Sequence, residues 1–506
     1  MISPSTLTRF AIITIAGIML SACGDSSSDN KPLTGGETDT PPTADISDGG
    51  SDSSGSDDTD NTPPSGSFLL FSADDGVHGT ELWKYDDTKS ETVMVKDINP
   101  AGGDSNPSLF ARYGSFVYFS ATTDEHGTEL WRTDGTAAGT TLFKDIFPGA
   151  DNSHPSGFTE FNGLLYFKAT NGTNGLELWR TDGTPEGTEM YSDLRPGRSG
   201  SNPGYLTVFN NHLYFWADDG VSGKEIWRTD GSEAGLHLFK DINPGSGHGL
   251  NNPQVWISMV EYDGALYFAA DDGVSGLELW RTDGTEEGTT LLKDINPDGL
   301  PSSPFQFGFA HGALYFNAYT KDEGRRLWKT HGTPESTVLV GSGFNFPFGL
   351  ATLGDELYFF ASSEGAGLEP WKTDGTPEGT RMLKNINIEN NGRDSSITTS
   401  TNPGFSELNG MLYFNADDGK AGTQTLWRTD GTEEGTIPVG NLNVGNILAG
   451  VRLPIVFNNT LILRAHDGLS GYELWQLKGP EENTVQLKDI NPGHRSSDPK
   501  HFFIFE

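Results

Sequence analysis

From residue 67 onward the chain alternates short apolar blocks with polar turn-forming ones, and residues 157–194 show the rule. That passage reads GFTEFNGLLYFKATNGTNGLELWRTDGTPEGTEMYSDL. Its pattern predicts four strands. The first, Phe158–Phe161, closes on Asn162-Gly163, a strong two-residue hairpin signal. The second, Leu164–Ala169, is apolar on both faces and is expected to be buried on both. The third is Leu176–Thr181, where Leu and Trp alternate with polar neighbours. The fourth, Thr188–Leu194, is reached through DGTPEG, turn residues throughout. A longer link, RPGRSGSNP, then leads onward.

The same sentence recurs. The motif tryptophans are Trp83, Trp131, Trp179, Trp227, Trp280, Trp328, Trp371, Trp427 and Trp475. Nine units of about 49 residues follow, a period that marks a solenoid, propeller or array. Three short hairpins and one long exit per unit describe a four-stranded meander, which is a propeller blade. The opening segment SGSFLLFSADDG matches a second strand with no first strand before it, and SSDPKHFFIFE near residue 506 matches a first strand with no second after it. Joined, Phe502–Phe505 and Phe68–Ala73 would complete one blade and cover the edges an open array leaves exposed. The expectation is an all-β chain forming a single closed β-propeller of about nine four-stranded blades over residues 67–506.

Composition narrows the partners. The net charge of −37 repels nucleic-acid phosphates and anionic lipid. Nucleic acid is therefore excluded, and a closed ring is expected to be a monomer. The 65 glycines and 11 % aromatics suit a turn-rich β protein.

The N-terminus adds an address. Arg9 precedes an apolar run from Phe10 to Leu20, then Leu20-Ser21-Ala22-Cys23, which holds the chain's one cysteine. A short apolar core ending in small residues reads as a signal peptide over 1–22. Leu-Ser-Ala-Cys resembles the lipobox of bacterial lipoproteins, and the resemblance implies lipid attachment at Cys23. Gly24, rather than aspartate, resembles an outer-membrane address, with the folded part facing periplasm or exterior. Residues 24–66 carry ten acids against Lys31 alone, so 23–66 reads as a disordered acidic tether. Its root-mean-square span is roughly 35 Å. The repeated ELWRTDGT resembles the bacterial ELWxxDGT repeat proteins over about 440 residues, a likeness that implies architecture and leaves activity open.

Chemistry is harder to place. Asp182-Gly183 and its counterparts look like the Asp-box turn of sialidase-type propellers, structural there. The repeated glutamates Glu81, Glu129, Glu177, Glu225, Glu278, Glu369 and Glu473 are expected to be structural as well. The ADDG loops carry Asp74, Asp75, Asp218, Asp219, Asp271, Asp272, Asp417 and Asp418, paired carboxylates suited to Ca²⁺, although no EF-hand spacing accompanies them. There is no HExxH, GxSxG elbow or phosphate-cradling glycine loop. Copies that depart from the repeat are the remaining signal. In the sixth unit Arg325, Arg326 and His331 replace the apolar–Glu pair and the turn aspartate. Trp216 and Trp256 add aromatics in and after the fourth. Together they would form a basic and aromatic patch for a partner. The favoured reading is an envelope binding or scaffold module for a protein or polysaccharide. The alternative is a glycan-active hydrolase or lyase with carboxylates such as Glu160 and Glu407 near the central channel.

Overall fold

The computed structural model describes residues 66–250, 259–388, 404–419, 425–443, 454–479 and 483–506. Cys23, the signal segment, the tether up to residue 65 and Trp256 lie outside the described residues.

Nine four-stranded antiparallel sheets make nine blades of one propeller. In blade 3 the strands run Ser156–Phe161, Leu164–Thr170, Leu176–Thr181 and Glu189–Ser192, in spatial order, each hydrogen-bonded to the next. The outermost strand is shorter than its sequence suggests. After Ser192 the backbone turns away, and the Leu194 N–H goes to the Glu177 carboxylate at 3.3 Å instead of a strand neighbour.

Blade 1 closes the ring. Lys500–Phe505 is its innermost strand and pairs antiparallel with Phe68–Asp74, in the register Phe68↔Phe505, Leu69↔Ile504 and Leu70↔Phe503. The Phe68 and Phe505 rings stack at 4.7 Å between centroids.

The core sits between blades. Second strands are buried on both faces, as Leu165, Tyr166, Phe167 and Ala169 show. Trp179 of blade 3 packs back on Tyr118, Leu130 and Phe143 of blade 2. Apolar clusters of this kind fill every junction, and the one joining blade 9 to blade 1 sets Phe457, Ile462 and Leu474 against Leu69, Phe71 and Trp83. Each fully buried Leu or Phe contributes about 1.5–3 kcal/mol. A linear array would leave its first and last faces bare. Polar ties repeat across junctions too. Lys96, Lys293 and Lys384 each donate to a threonine carbonyl of the next blade at 2.7–2.9 Å, and Lys488 does so to Thr92 O across the closing junction.

Candidate binding face

Antiparallel meanders sort the loops onto two faces. Hairpins joining second to third strands share one face with the links between blades. Hairpins joining first to second and third to fourth strands share the other. The ADDG loops and Arg325-Arg326 lie on the first face, called here the link face.

The ADDG carboxylates are largely taken up by their own turns. Asp74 Oδ1 accepts the Gly76 N–H at 2.6 Å, and Asp75 Oδ1 accepts those of Val77 and His78 at 2.9 and 2.8 Å. Asp218 and Asp219 repeat the arrangement with Gly220, Val221 and Ser222, as do Asp271 and Asp272 with Gly273, Val274 and Ser275. Asp417 receives Gly419 N–H at 2.8 Å, and Asp418 carries an interaction as well. These are side-chain-capped turns. Among the described residues no group of three or more His, Cys, Asp or Glu is placed to hold a metal ion.

The repeated glutamates clip the links. Glu129 is fully buried and accepts the Ile146 N–H at 2.7 Å, the Phe147 N–H at 3.3 Å, the Ser153 N–H at 3.1 Å and the Ser153 hydroxyl at 2.7 Å. Glu81, Glu225 and Glu278 hold equivalent links, and burial pushes these four carboxyls up to about 7 against the pull of their donors. Seven blades carry this glutamate and follow it with a link beginning Asp/Asn-Ile/Leu. Blades 6 and 8 have neither, reading Arg326 with VGSGF and Thr425 with VGNLN. The glutamate exists for the link, and the two come and go together.

The sixth blade's departures are therefore answered from within. Arg325 is half-buried, its Nη1 2.9 Å from Asn317 Oδ1 and 3.2 Å from Ser303 O, with the guanidinium over the Phe305 ring. Arg326 bonds Asn345 Oδ1 in the shortened link and sits 3.7 Å from Glu323. Both arginines are thus engaged within blade 6 and its link. His331 lies on the opposite face. Elsewhere the turn aspartate accepts local donors, as Asp182 Oδ1 does from Thr184 N–H and Oγ1 at 2.8 and 2.7 Å. A Cβ on Gly187 would collide with that carboxylate. With His331 in place of the aspartate, the glycine position becomes Ser336. Its hydroxyl accepts the His331 and Thr333 N–H groups at 3.0 and 3.1 Å. The His331 ring reaches Gly312 O at 2.8 Å.

Trp216 must be withdrawn as a partner contact. It is wholly buried on a two-sided second strand, edge-on to Phe268 of blade 5, so it fills the junction between blades 4 and 5. The inner-strand glutamates also fail to assemble. Glu160, Glu261 and Glu407 hold corresponding positions in blades 3, 5 and 8, which are not neighbours in the ring.

What the sequence reading passed over is apolar. The tips of four link-face hairpins are Val77, Val221, Val274 and Leu469, each at least 70 % exposed. Leu300, Tyr319, Phe346 and Ile388 are exposed on the same face. The signal was available, because ADDGV and HDGLSG place an aliphatic residue where a turn wants a polar one. Lys168 was also missed. Burial holds its ammonium down to about 8, it donates to Asn202 Oδ1 at 3.2 Å, and Lys224 lies within electrostatic reach.

No family model matches the chain. No curated protein matches it either. Solved structures do. Puromycin hydrolase is similar over 78 % of this chain and 54 % of its own, at 14 % identity and a TM-score of 0.38. A prolyl endopeptidase is similar over 71 % and 52 %, at 11 % identity and 0.38. A puromycin-hydrolyzing peptidase of Mycobacterium tuberculosis is similar over 73 % and 58 %, at 14 % identity and 0.36. The chain thus matches little more than half the length of these enzymes. Likeness this coarse carries no argument about activity.

Proposed function

We propose that this chain is a lipid-anchored envelope protein whose ring is a binding module, and that its link face docks a protein partner. The observation that supports the reading is two pairs of exposed aliphatic tips on one face of a strongly acidic ring, Leu469 and Val77 on adjoining blades 9 and 1 and Val221 and Val274 on adjoining blades 4 and 5. Large exposed apolar residues gathered on one face mark interaction sites, while singly scattered ones do not. The turns beneath them are rigid, with both carboxylates of each ADDG loop engaged, so docking would cost little ordering entropy. The anchor would be lipid on Cys23, with the tether holding the ring off an outer membrane.

Two experiments test the two halves. Cys23→Ala should move the protein from the membrane to the soluble fraction, and a variant still membrane-bound refutes the anchor. Replacing all four tips by serine should leave thermal stability intact and abolish crosslinking to envelope proteins in living cells. An unchanged crosslinking pattern refutes the face.

A further inference from the structure

The junction between blades 9 and 1 differs from the rest on the face opposite the links. At five other junctions a cation following the motif tryptophan reaches across to a glycine carbonyl in the next blade. Lys84 reaches Gly135 O at 2.9 Å, Arg228 reaches Gly284 O at 2.9 Å and Lys329 reaches Gly375 O at 2.8 Å. Blade 9 has Gln476 at this position, the one unit of nine without a lysine or arginine there. Across the junction, Asp87 stands where the other eight units have glycine, and Tyr85 stands where most have threonine. Lys478 replaces the turn aspartate of blade 9.

These four departures meet in one place. Tyr85, Asp87, Gln476 and Lys478 all line a cleft of roughly 350 Å³, with Ser90 and the Asn458-Asn459 turn completing its walls. The volume lies at the lower end of small-molecule sites, about 300–1,000 Å³. The floor is closed by Tyr85, whose hydroxyl donates to Gln476 Oε1 at 3.3 Å. Asp87 Oδ2 accepts from Asn458 Nδ2 at 2.9 Å, which holds the carboxylate in a fixed orientation. Asp87 Oδ1 is shielded and accepts nothing within the protein. Being shielded, Oδ1 is out of a ligand's reach, and Oδ2 is the oxygen of this carboxylate that can meet one.

We infer that this junction cleft binds a neutral saccharide unit, with Asp87 Oδ2 accepting from a sugar hydroxyl and the Asn459 amide and Lys478 ammonium donating to neighbouring oxygens. The wall chemistry favours polyols. Amides and hydroxyls offer donors and acceptors side by side, as vicinal hydroxyls require, and the lining is mainly polar, with Phe457 and the Tyr85 ring its apolar members. The cleft exists because the short neutral Gln476 leaves open the space a cation fills at other junctions. With few apolar contacts the affinity is weak, a Kd on the order of mM. The site is separate from the link face, and neither depends on the other.

The test uses the full chain and ligand-observed saturation-transfer NMR with methyl α-glucoside, methyl α-galactoside, methyl α-mannoside and maltose, with free glutamate and lysine as competitors. At least one sugar should bind and resist both amino acids. Gln476→Arg restores the bridging cation, so it should keep the fold and weaken binding about tenfold, as should Asp87→Gly. Lys478→Ser, a change at an exposed side chain, gives a second reading at no risk to folding and should also weaken binding. Glu186→Gln, at an exposed turn of distant blade 3, should change nothing. The inference is overturned by an absence of sugar binding up to about 50 mM, by displacement by an amino acid, or by a Gln476→Arg variant that binds as the parent does.

Discussion

Truncating Glu129 to alanine would measure what a link clip contributes. The Ile146 and Phe147 N–H groups would lose their acceptor, while the Ser153 N–H and hydroxyl would keep Thr128 O at 3.0 and 3.2 Å. Two stranded donors at about 1–3 kcal/mol each give about 2–6 kcal/mol if the link stays closed. Opening the link to water relieves part of this at the expense of the buried Ile146, so a loss of about 2–4 kcal/mol is expected. Urea denaturation at pH 6 followed by tryptophan fluorescence reads the loss, and amide exchange at Ile146 localises it. A loss below about 1 kcal/mol would refute the clip. The glutamine variant adds a pH arm. Burial pushes the folded carboxyl up to about 7, against 4.5 when exposed. The folded state therefore binds the proton more tightly. The stabilisation from Glu129 is complete below pH 4.5 and is lost as pH rises through 7, by up to about 3 kcal/mol. Glutamine does not titrate. Its stability relative to the parent should thus improve steadily from pH 5 to pH 8, and a flat difference would sink the assignment.

Three further outcomes follow from the same geometry. His331→Asp alone should destabilise by about 1–3 kcal/mol, because the carboxylate meets the Ser336 side chain, and adding Ser336→Gly should recover most of it in a double-mutant cycle. Replacing Arg325-Arg326 by Leu-Glu should destabilise by about 1–3 kcal/mol in thermal melts, although it restores the repeat, because blade 6 has no Asp-Ile link for the glutamate to hold; a variant as stable as the parent would refute the pairing of glutamate with link. Deleting residues 498–506 should strip the inner strand from blade 1, with aggregation or a large fall in Tm, and an unchanged melt would refute closure.

The ring was legible because its signals are local and repeated nine times. Asn162-Gly163, the two-sided LLYF run and the alternating ELW stretch each fix one strand, and repetition removed the ambiguity of any single copy. The site was less legible because its meaning lies in contacts between positions far apart in the chain. Arg325 and Arg326 read as surface charge until Asn317 and Asn345 are seen beside them. Trp216 read as an aromatic added to a patch, yet strand periodicity already placed it on a two-sided strand, and that rule should have outweighed novelty. The cleft beside Asp87 joins turns almost 400 residues apart, which no window along the chain could bring together.

Closure has a consequence for how the protein is made. Ser72 and the Lys500 carbonyl it meets are 428 residues apart in sequence. The first hairpins to emerge must therefore wait, with an unpaired edge, until the last strand has been synthesised and delivered. Contacts of such separation are slow to form, and waiting edges invite pairing with other chains. The intermediate most open to proteolysis and to chaperone capture is accordingly an eight-bladed arc with three-stranded blade 1 still open. Its lifetime, rather than the strength of any blade, would govern the yield of folded rings.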